Sequence, residues 1–223
     1  MINKVWPSVD AALADVFDGA TVLFGGFCGP GEATELMAGL LRQGASGLTG
    51  VSNSIGKGDS GLAALIRSGR LAKMICSFPL IKGGEAFQEQ YRAGRIALET
   101  TPQGTLAERL RAGGAGIEAF YTPTGVGTEM AEGKELRSFN GVPCLLEKAI
   151  RGDFALIRAH KADRWGNLVY RKTGRNFNPV MAMAARVTIA EVDEIVELGE
   201  LDPEVIVTPG IFVQRVVRRG GEH

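Results

Sequence analysis

The 223 residues carry 25 Lys plus Arg against 25 Asp plus Glu and are 45% apolar. That balance leaves no basic footprint for nucleic acid, and no apolar run reaches the ~18 residues of a membrane-spanning helix. Cys28, Cys76 and Cys144 are too dispersed for a disulfide framework or a metal knuckle, so the expectation is a reducing cytoplasm and no metal.

In chain order, the N-terminal stretch MINKVWPSVDAALADVF carries Asp10 and Asp15, which fits neither a signal nor a transit peptide. Ser8 can cap a helix whose apolar face is Val9, Leu13, Val16 and Phe17, and Asp18-Gly19 ends it. Thr21–Phe24 is a short buried strand, and Ala33–Leu41 returns to helix with Leu36, Leu40 and Leu41 on one side. Leu48–Val51, Met74–Phe78 and Arg95–Glu99 read as extended. Leu62–Ile66, Ala86–Arg92 and Leu106–Arg111 read as helices between and after them. Residues 113–143 are rich in Gly, Thr and Pro and predict short strands and functional loops. Phe154–Ile157, Leu168–Tyr170 and Val187–Val192 are further strands, and Pro179–Ala185 is a small-residue helix. Strands every ~25 residues with helices between them predict α/β architecture. The expected form is one domain over 1–223, an open, mainly parallel sheet with helices on both faces, plus the Gly/Thr-rich region.

The strand at 21–24 runs into GGFCGPG, a loop whose backbone N–H groups could face an anion. A phosphate-binding P-loop needs Lys-Ser/Thr after its last glycine, and here Glu32 and Ala33 follow Gly31. No frame of GGFCGPGEAT supplies the Gly-x-Gly-x-x-Gly of a dinucleotide site. The plain alternative is a tight turn requiring φ > 0. A thiol nucleophile at Cys28 would need a base, and the histidines available are His160 and His223.

DGATVLFGGF at 18–27 resembles the first signature of the family I coenzyme A transferases, with Ala33 where the pattern has Pro. SNSIGKGDSGLAALI (52–66), TPQGTLAERLRAGGAGIEAFYTPTGVGT (101–128), KADRWGNLVYR (161–171), RNFNPVMAMAA (175–185) and ELGELDPEVIVTPGIFVQRVV (197–217) are similar to the family's A half, in order. CSFP at 76–79, YRAGRI at 91–96, AHKADRWGN at 159–167 and GIFVQRVV at 210–217 look like the branch whose acceptor is 3-oxoadipate and whose donor is succinyl-CoA. The acetate/acetoacetate and succinate/3-oxoacid branches share the glycine loop and the PQGT stretch, so they stay as alternatives. A non-catalytic CoA-binding scaffold is the alternative from another class.

The resemblance implies a ping-pong transfer in which a glutamate attacks an acyl-CoA and later carries CoA as a thioester. In the family that glutamate lies in a Ser-Glu-Asn-Gly stretch of the B half. Here no Asn follows a Glu; Asn3, Asn53, Asn140, Asn167, Asn176 and Asn178 all stand elsewhere. Glu129, inside GTEMAEG, is the one glutamate in a Gly/Thr-rich loop that could substitute. The implied arrangement is therefore a B-subunit partner, with A2B2 stoichiometry and no catalytic residue in this chain. Gly25, Gly26, Phe27, Cys28, Gly29, Pro30 and Gly31 would lie against coenzyme A or close the interface with that partner. Gln103 and Asn53 would be neutral donors to the substrate, and their plain alternative is a capping or turn amide. Arg109, Arg111, Lys82 and Arg137 are available to an acceptor's second carboxylate. For Arg109 and Arg111, pairing with Glu108 and Glu147 is the simpler expectation.

Overall fold

The computed structural model describes residues 2–220, so His223 lies outside the described residues. Ser8 caps α1 (Val9–Leu13), its side chain accepting from the Ala11 N–H. The helix stops one turn before the apolar pattern ends. Phe17 is consequently half exposed and meets Phe154 edge-on instead of extending a helical face.

From there the crossover pattern runs β1 (Thr21–Phe24), α2 (Thr34–Gln43), β2 (Leu48–Ser54), α3 (Gly61–Arg67), β3 (Leu71–Phe78), α4 (Glu85–Arg92) and β4 (Ala97–Thr100). Helix α5 (Gln103–Ala115) follows, longer at both ends than Leu106–Arg111. The Gly/Thr-rich region forms β5 (Ala119–Thr122), β6 (Leu136–Phe139) and β7 (Val142–Lys148). The chain then re-enters the main sheet through β8 (Gly152–Asp163), the short antiparallel β9 (Leu168–Val169), α6 (Asn178–Ala184), β10 (Ala185–Val196) and β11 (Arg215–Arg218). Strands β8 and β10 each run 12 residues, well beyond the apolar windows, because their polar C-terminal halves still pair across ten registered positions. The sequence pattern does not mark β11. It is only four residues long and closes the sheet edge against β10.

Strand order in the main sheet is β11-β10-β8-β1-β2-β3-β4, with β9 paired to β8. The chain therefore winds one way from β1 to β4 and the other way from β8 to β11. The reversal falls between β1 and β8, which pair in parallel. Ligand crevices in open α/β sheets form at such a reversal, beyond the carboxyl ends of the strands.

Side chains alternate across each strand, so two cores form. Val22 and Phe24 of β1 pack with Leu13, Leu36, Met37, Leu40, Leu65 and Phe87, beneath α1–α4. Leu23, Val51, Ala155 and Ile157 pack with Leu106, Leu110 and Met181, beneath α5 and α6. Each of the larger side chains among these contributes ~1.5–3 kcal/mol of burial, which outweighs the weak propensity of a helix as short as α3 or α6. Among the described residues no helix is long and apolar enough to cross a membrane, and no group of three His, Cys, Asp or Glu could hold a metal.

The small antiparallel sheet has order β5-β7-β6. Asn140 and Gly141 turn β6 into β7 with φ of 50° and 81°, the two positive values that a two-residue hairpin needs. Arg109 of α5 fastens this sheet to the main one. Its guanidinium donates to Glu99 Oε1 (2.7 Å), Thr101 Oγ1 (3.1 Å) and the Lys148 carbonyl (2.8 Å). Glu147 is 3.9 Å away, a weaker contact than Glu99, and takes Lys134 Nζ at 2.6 Å. Arg111 pairs with Glu108 at 2.9 Å as expected. Glu147→Ala leaves Lys134 without its carboxylate partner and removes the weaker of Arg109's two. The expected loss is about 2 kcal/mol in urea unfolding, below the ~3–5 of a fully enclosed pair because water still reaches Lys134. An unchanged midpoint would mean that the pair does not hold the sheet.

Candidate active site

The loop after β1 is shaped by one asparagine. Gly25 sits on the α6 side of the sheet, and a Cβ there would lie 1.9 Å from Asn178 Oδ1. Glycine leaves room for the Asn178 amide, whose side chain is buried at the start of α6. Its Nδ2 donates to the carbonyls of Gly31 (3.0 Å) and Gly174 (2.8 Å), and its Oδ1 accepts from the Arg158 N–H (3.1 Å). Asn176 Nδ2 donates to the Pro30 carbonyl at 2.9 Å. Gly26, Cys28, Gly29 and Gly31 all have positive φ, so the chain reverses tightly, closed by Phe27 N–H to Pro30 O and Gly29 N–H to Glu32 Oε1. Among the described residues, the N–H groups of Gly26, Cys28 and Gly31 meet no acceptor. The turn that backbone geometry demands is also a set of free donors.

Beside this loop, at the reversal point, is a cleft of about 390 Å³. Its walls are Pro30 and Gly31, Arg158 and His160 of β8, the 170–174 segment, and Asp193 of β10. Asp193 takes Arg158 at 3.0 Å, His160 Nδ1 at 3.2 Å and Arg219 at 3.3 Å. Burial pulls its carboxyl upward, but hydrogen bonds from His160, Arg158 and Arg219 outweigh that and hold it below the ordinary range. Lys172, on the rim, has φ of 51°, a conformation that costs a non-glycine residue of order 1 kcal/mol and tends to occur at working sites.

Behind Asp193 on the same face is Glu191, fully buried. Its Oε2 accepts the N–H groups of Glu35 (2.9 Å) and Leu36 (3.0 Å) in the first turn of α2. Its Oε1 lies 3.1 Å from Arg219 Nε but off the N–H direction, an ion pair without a hydrogen bond. Burial pushes the Glu191 carboxyl up to about 7, against the Leu36 N–H and Arg219, which favour the charge.

Asn53, the penultimate residue of β2, is buried, its Nδ2 donating to Ser77 Oγ at 3.1 Å while Ser77 donates back to the Asn53 carbonyl. Gln103 follows β4 as the first residue of α5 and is exposed. No hydrogen bond joins its side chain to any other described residue, and the N-cap position belongs to Pro102. Asn53, Gln103 and the 25–31 loop thus share the carboxyl edge of the sheet. Neither Asn53 nor Gln103 lines the cleft beside that loop.

Cys28 is exposed and His160 is committed to Asp193, and no hydrogen bond links the two. Glu129 begins an exposed single turn with no ion pair among the described residues. Arg137 is paired with Glu135 at 3.0 Å. Sequence reasoning attached no role to Asn176, Asn178, Arg158, Asp193 or Glu191. The asparagines stand in the RNFNP stretch, and the carboxylates of AEVDE, in an otherwise apolar strand window, were the available signal for Glu191 and Asp193; nothing marked Arg158.

The Coenzyme A transferase family pattern matches residues 7–219. Over 99% of this chain and 96% of its own length, the A subunit of Pseudomonas putida 3-oxoadipate CoA-transferase is 56% identical. The same-named chain of Acinetobacter baylyi is 56% identical over 97% of this chain and 95% of its own. The A subunit of a probable succinyl-CoA:3-ketoacid coenzyme A transferase of Bacillus subtilis is 50% identical over 97% and 90%. An acyl-CoA transferase of Escherichia coli, solved as a thioester complex with CoA, superposes with a TM-score of 0.84 at 23% identity. It covers 99% of this chain, which spans about half (48%) of that longer one. Glutaconate coenzyme A-transferase of Acidaminococcus fermentans has a TM-score of 0.83 at 21% identity, covering 96% of this chain and 75% of its own. Those two establish a shared fold, and with the family pattern and the curated relatives they lead to one conclusion: the chain belongs to the coenzyme A transferase family.

Proposed function

We propose that this chain is the A subunit of a two-subunit enzyme that moves CoA from succinyl-CoA to 3-oxoadipate. The observation that carries it is full-length similarity to A subunits named for 3-oxoadipate, in a chain that lacks a Ser-Glu-Asn-Gly glutamate. Among the described residues the buried glutamates, Glu147 and Glu191, are both tied up by cations or backbone N–H groups. A B subunit then brings the attacking carboxylate, forming in turn an acyl-glutamyl anhydride and a glutamyl-CoA thioester. Each step places negative charge on a carbonyl oxygen, which fixed N–H donors stabilise.

In this reading the Gly25–Gly31 loop offers its unpaired N–H groups and the exposed Phe27 ring to CoA or to the interface. Gln103 donates to the reacting carboxylate, and Asn53, held by Ser77, shapes the strand end. A neutral amide suits that place because a fixed cation would hold the glutamate in an ion pair. The assembly is A2B2, and its setting is the cytoplasm. The 50%-identical relatives named for 3-ketoacids support a second reading with a 3-oxo monocarboxylate as acceptor.

The test is reconstitution. The purified chain alone is expected to transfer no CoA, and adding a B subunit should bring turnover that favours 3-oxoadipate over acetoacetate. A covalent acyl or CoA adduct on the chain by itself would overturn the two-subunit mechanism, and preference for acetoacetate would overturn the acceptor.

A further inference from the structure

Helix α2 begins without a cap of its own. Ala33 occupies the N-cap position and its side chain offers no acceptor. A helix start normally satisfies its free N–H groups with a local Ser, Thr, Asp or Asn, worth ~1 kcal/mol. Here the acceptor comes from β10, 156 residues away: Glu191 Oε2 takes the Glu35 and Leu36 N–H groups at 2.9 and 3.0 Å. A buried carboxylate is a costly substitute for a local serine unless the connection itself matters.

That connection runs straight to the glycine loop. Thr34, the first residue of α2, lies three positions after Gly31. At its start the loop is held by the Gly25 N–H on the Leu156 carbonyl, and towards its end Asn176 and Asn178 hold the carbonyls of Pro30 and Gly31. The segment 26–33 thus runs from an anchor on β8, across a tie to the 176–178 asparagines at Pro30 and Gly31, to a second end anchor on Glu191. The second anchor is also joined to the cleft. Arg219 touches Glu191 (3.1 Å), Glu35 (3.7 Å) and Asp193 (3.3 Å), and Asp193 holds the cleft residues Arg158 and His160.

We infer that Glu191 is a positioning residue for the glycine loop: by clamping the first turn of α2 it sets where the 26–33 segment returns from the cleft. Its expected effect on the succinyl-CoA KM rests on the loop's lying at the acyl-CoA site, as proposed above. The clamp itself does not.

The experiment uses the two-subunit enzyme at about pH 8.5, above the range in which Glu191 titrates, with Glu191→Gln, which keeps a carbonyl acceptor but removes the charge from both the N–H pair and Arg219. Two quantities are read: amide hydrogen exchange over 26–36 in the resting enzyme, and separate KM values for succinyl-CoA and the oxo acid. Exchange of the hydrogen-bonded amides within 26–36 should rise ~10-fold while the rest of α2 and β1 stays protected. The KM for succinyl-CoA should rise ~5-fold or more, with kcat and the acceptor KM within ~2-fold. A general loss of structure would instead raise exchange throughout and lower the active fraction without splitting the two KM values, and that result overturns the inference. Unchanged exchange over 26–36 also overturns it. Faster exchange with an unchanged succinyl-CoA KM upholds the clamp and removes the loop from the acyl-CoA site. Should Glu191→Gln fail to assemble, Glu191→Asp keeps the charge but shortens the reach to the N–H pair. The same local exchange increase is expected, smaller in size, and its absence overturns the clamp.

Discussion

Gly25→Ala should be among the most damaging single-methyl additions in this chain. The new Cβ would stand 1.9 Å from Asn178 Oδ1 and 2.9 Å from its Cγ, so the asparagine must leave. Leaving breaks its bonds to Gly31 O, Gly174 O and the Arg158 N–H and strands a buried amide. Overpacking and the loss of those partners together predict about 3–5 kcal/mol of lost stability and collapse of the 25–31 loop. The measurement is the urea midpoint of the chain, with turnover of the reconstituted enzyme beside it. The decisive control is the pair with Asn178→Ala. Neighbours that conflict are not additive, and removing the asparagine removes the collision. The double variant should therefore lose clearly less than the sum of the singles. Strict additivity would show that Gly25 is small for some other reason.

Gln103→Ala is expected to behave in the opposite way. Its side chain is exposed, caps no helix and bonds to no other described residue, so stability should move by less than ~0.5 kcal/mol. If it aligns the reacting carboxylate, turnover of the two-subunit enzyme should fall ~10²-fold, because a small misplacement of the reacting atoms costs that much. The contrast between an intact urea transition and a lost rate is what identifies a ligand-facing amide. A rate within ~3-fold of wild type would return Gln103 to the helix surface as a solvent-exposed residue.

Period and punctuation carried much of the architecture. Thr21–Phe24 is apolar and β-branched at its start, is closed by glycines on both sides, and forms β1 with those bounds. The alternation of strand and helix up to residue 100 follows the same logic, each apolar window being bounded by a turn. Where the pattern falls short, tertiary pairing has extended or truncated it. Lys161 and Asp163 are polar, yet they complete β8 because β10 and β9 lie alongside. Val16 and Phe17 fit a helical face, yet the chain must turn at Asp18-Gly19 to enter β1, so the helix ends early.

By itself the sequence determined the fold class, the glycine turn after the first strand, the family resemblance, and the lack of a Ser-Glu-Asn-Gly glutamate. These are local facts: composition, spacing and order are all they need. Only the tertiary structure decided that the winding reverses between β1 and β8, which puts a cleft beside that turn. It also decided that Asn178 occupies the volume Gly25 leaves vacant, and that a carboxylate from β10 caps a helix starting at Thr34. Those contacts join residues some 150 positions apart, and no local propensity encodes them. They arise because a parallel sheet brings the ends of distant strands to one edge, where each buried N–H and carbonyl must find whichever partner the winding has brought there.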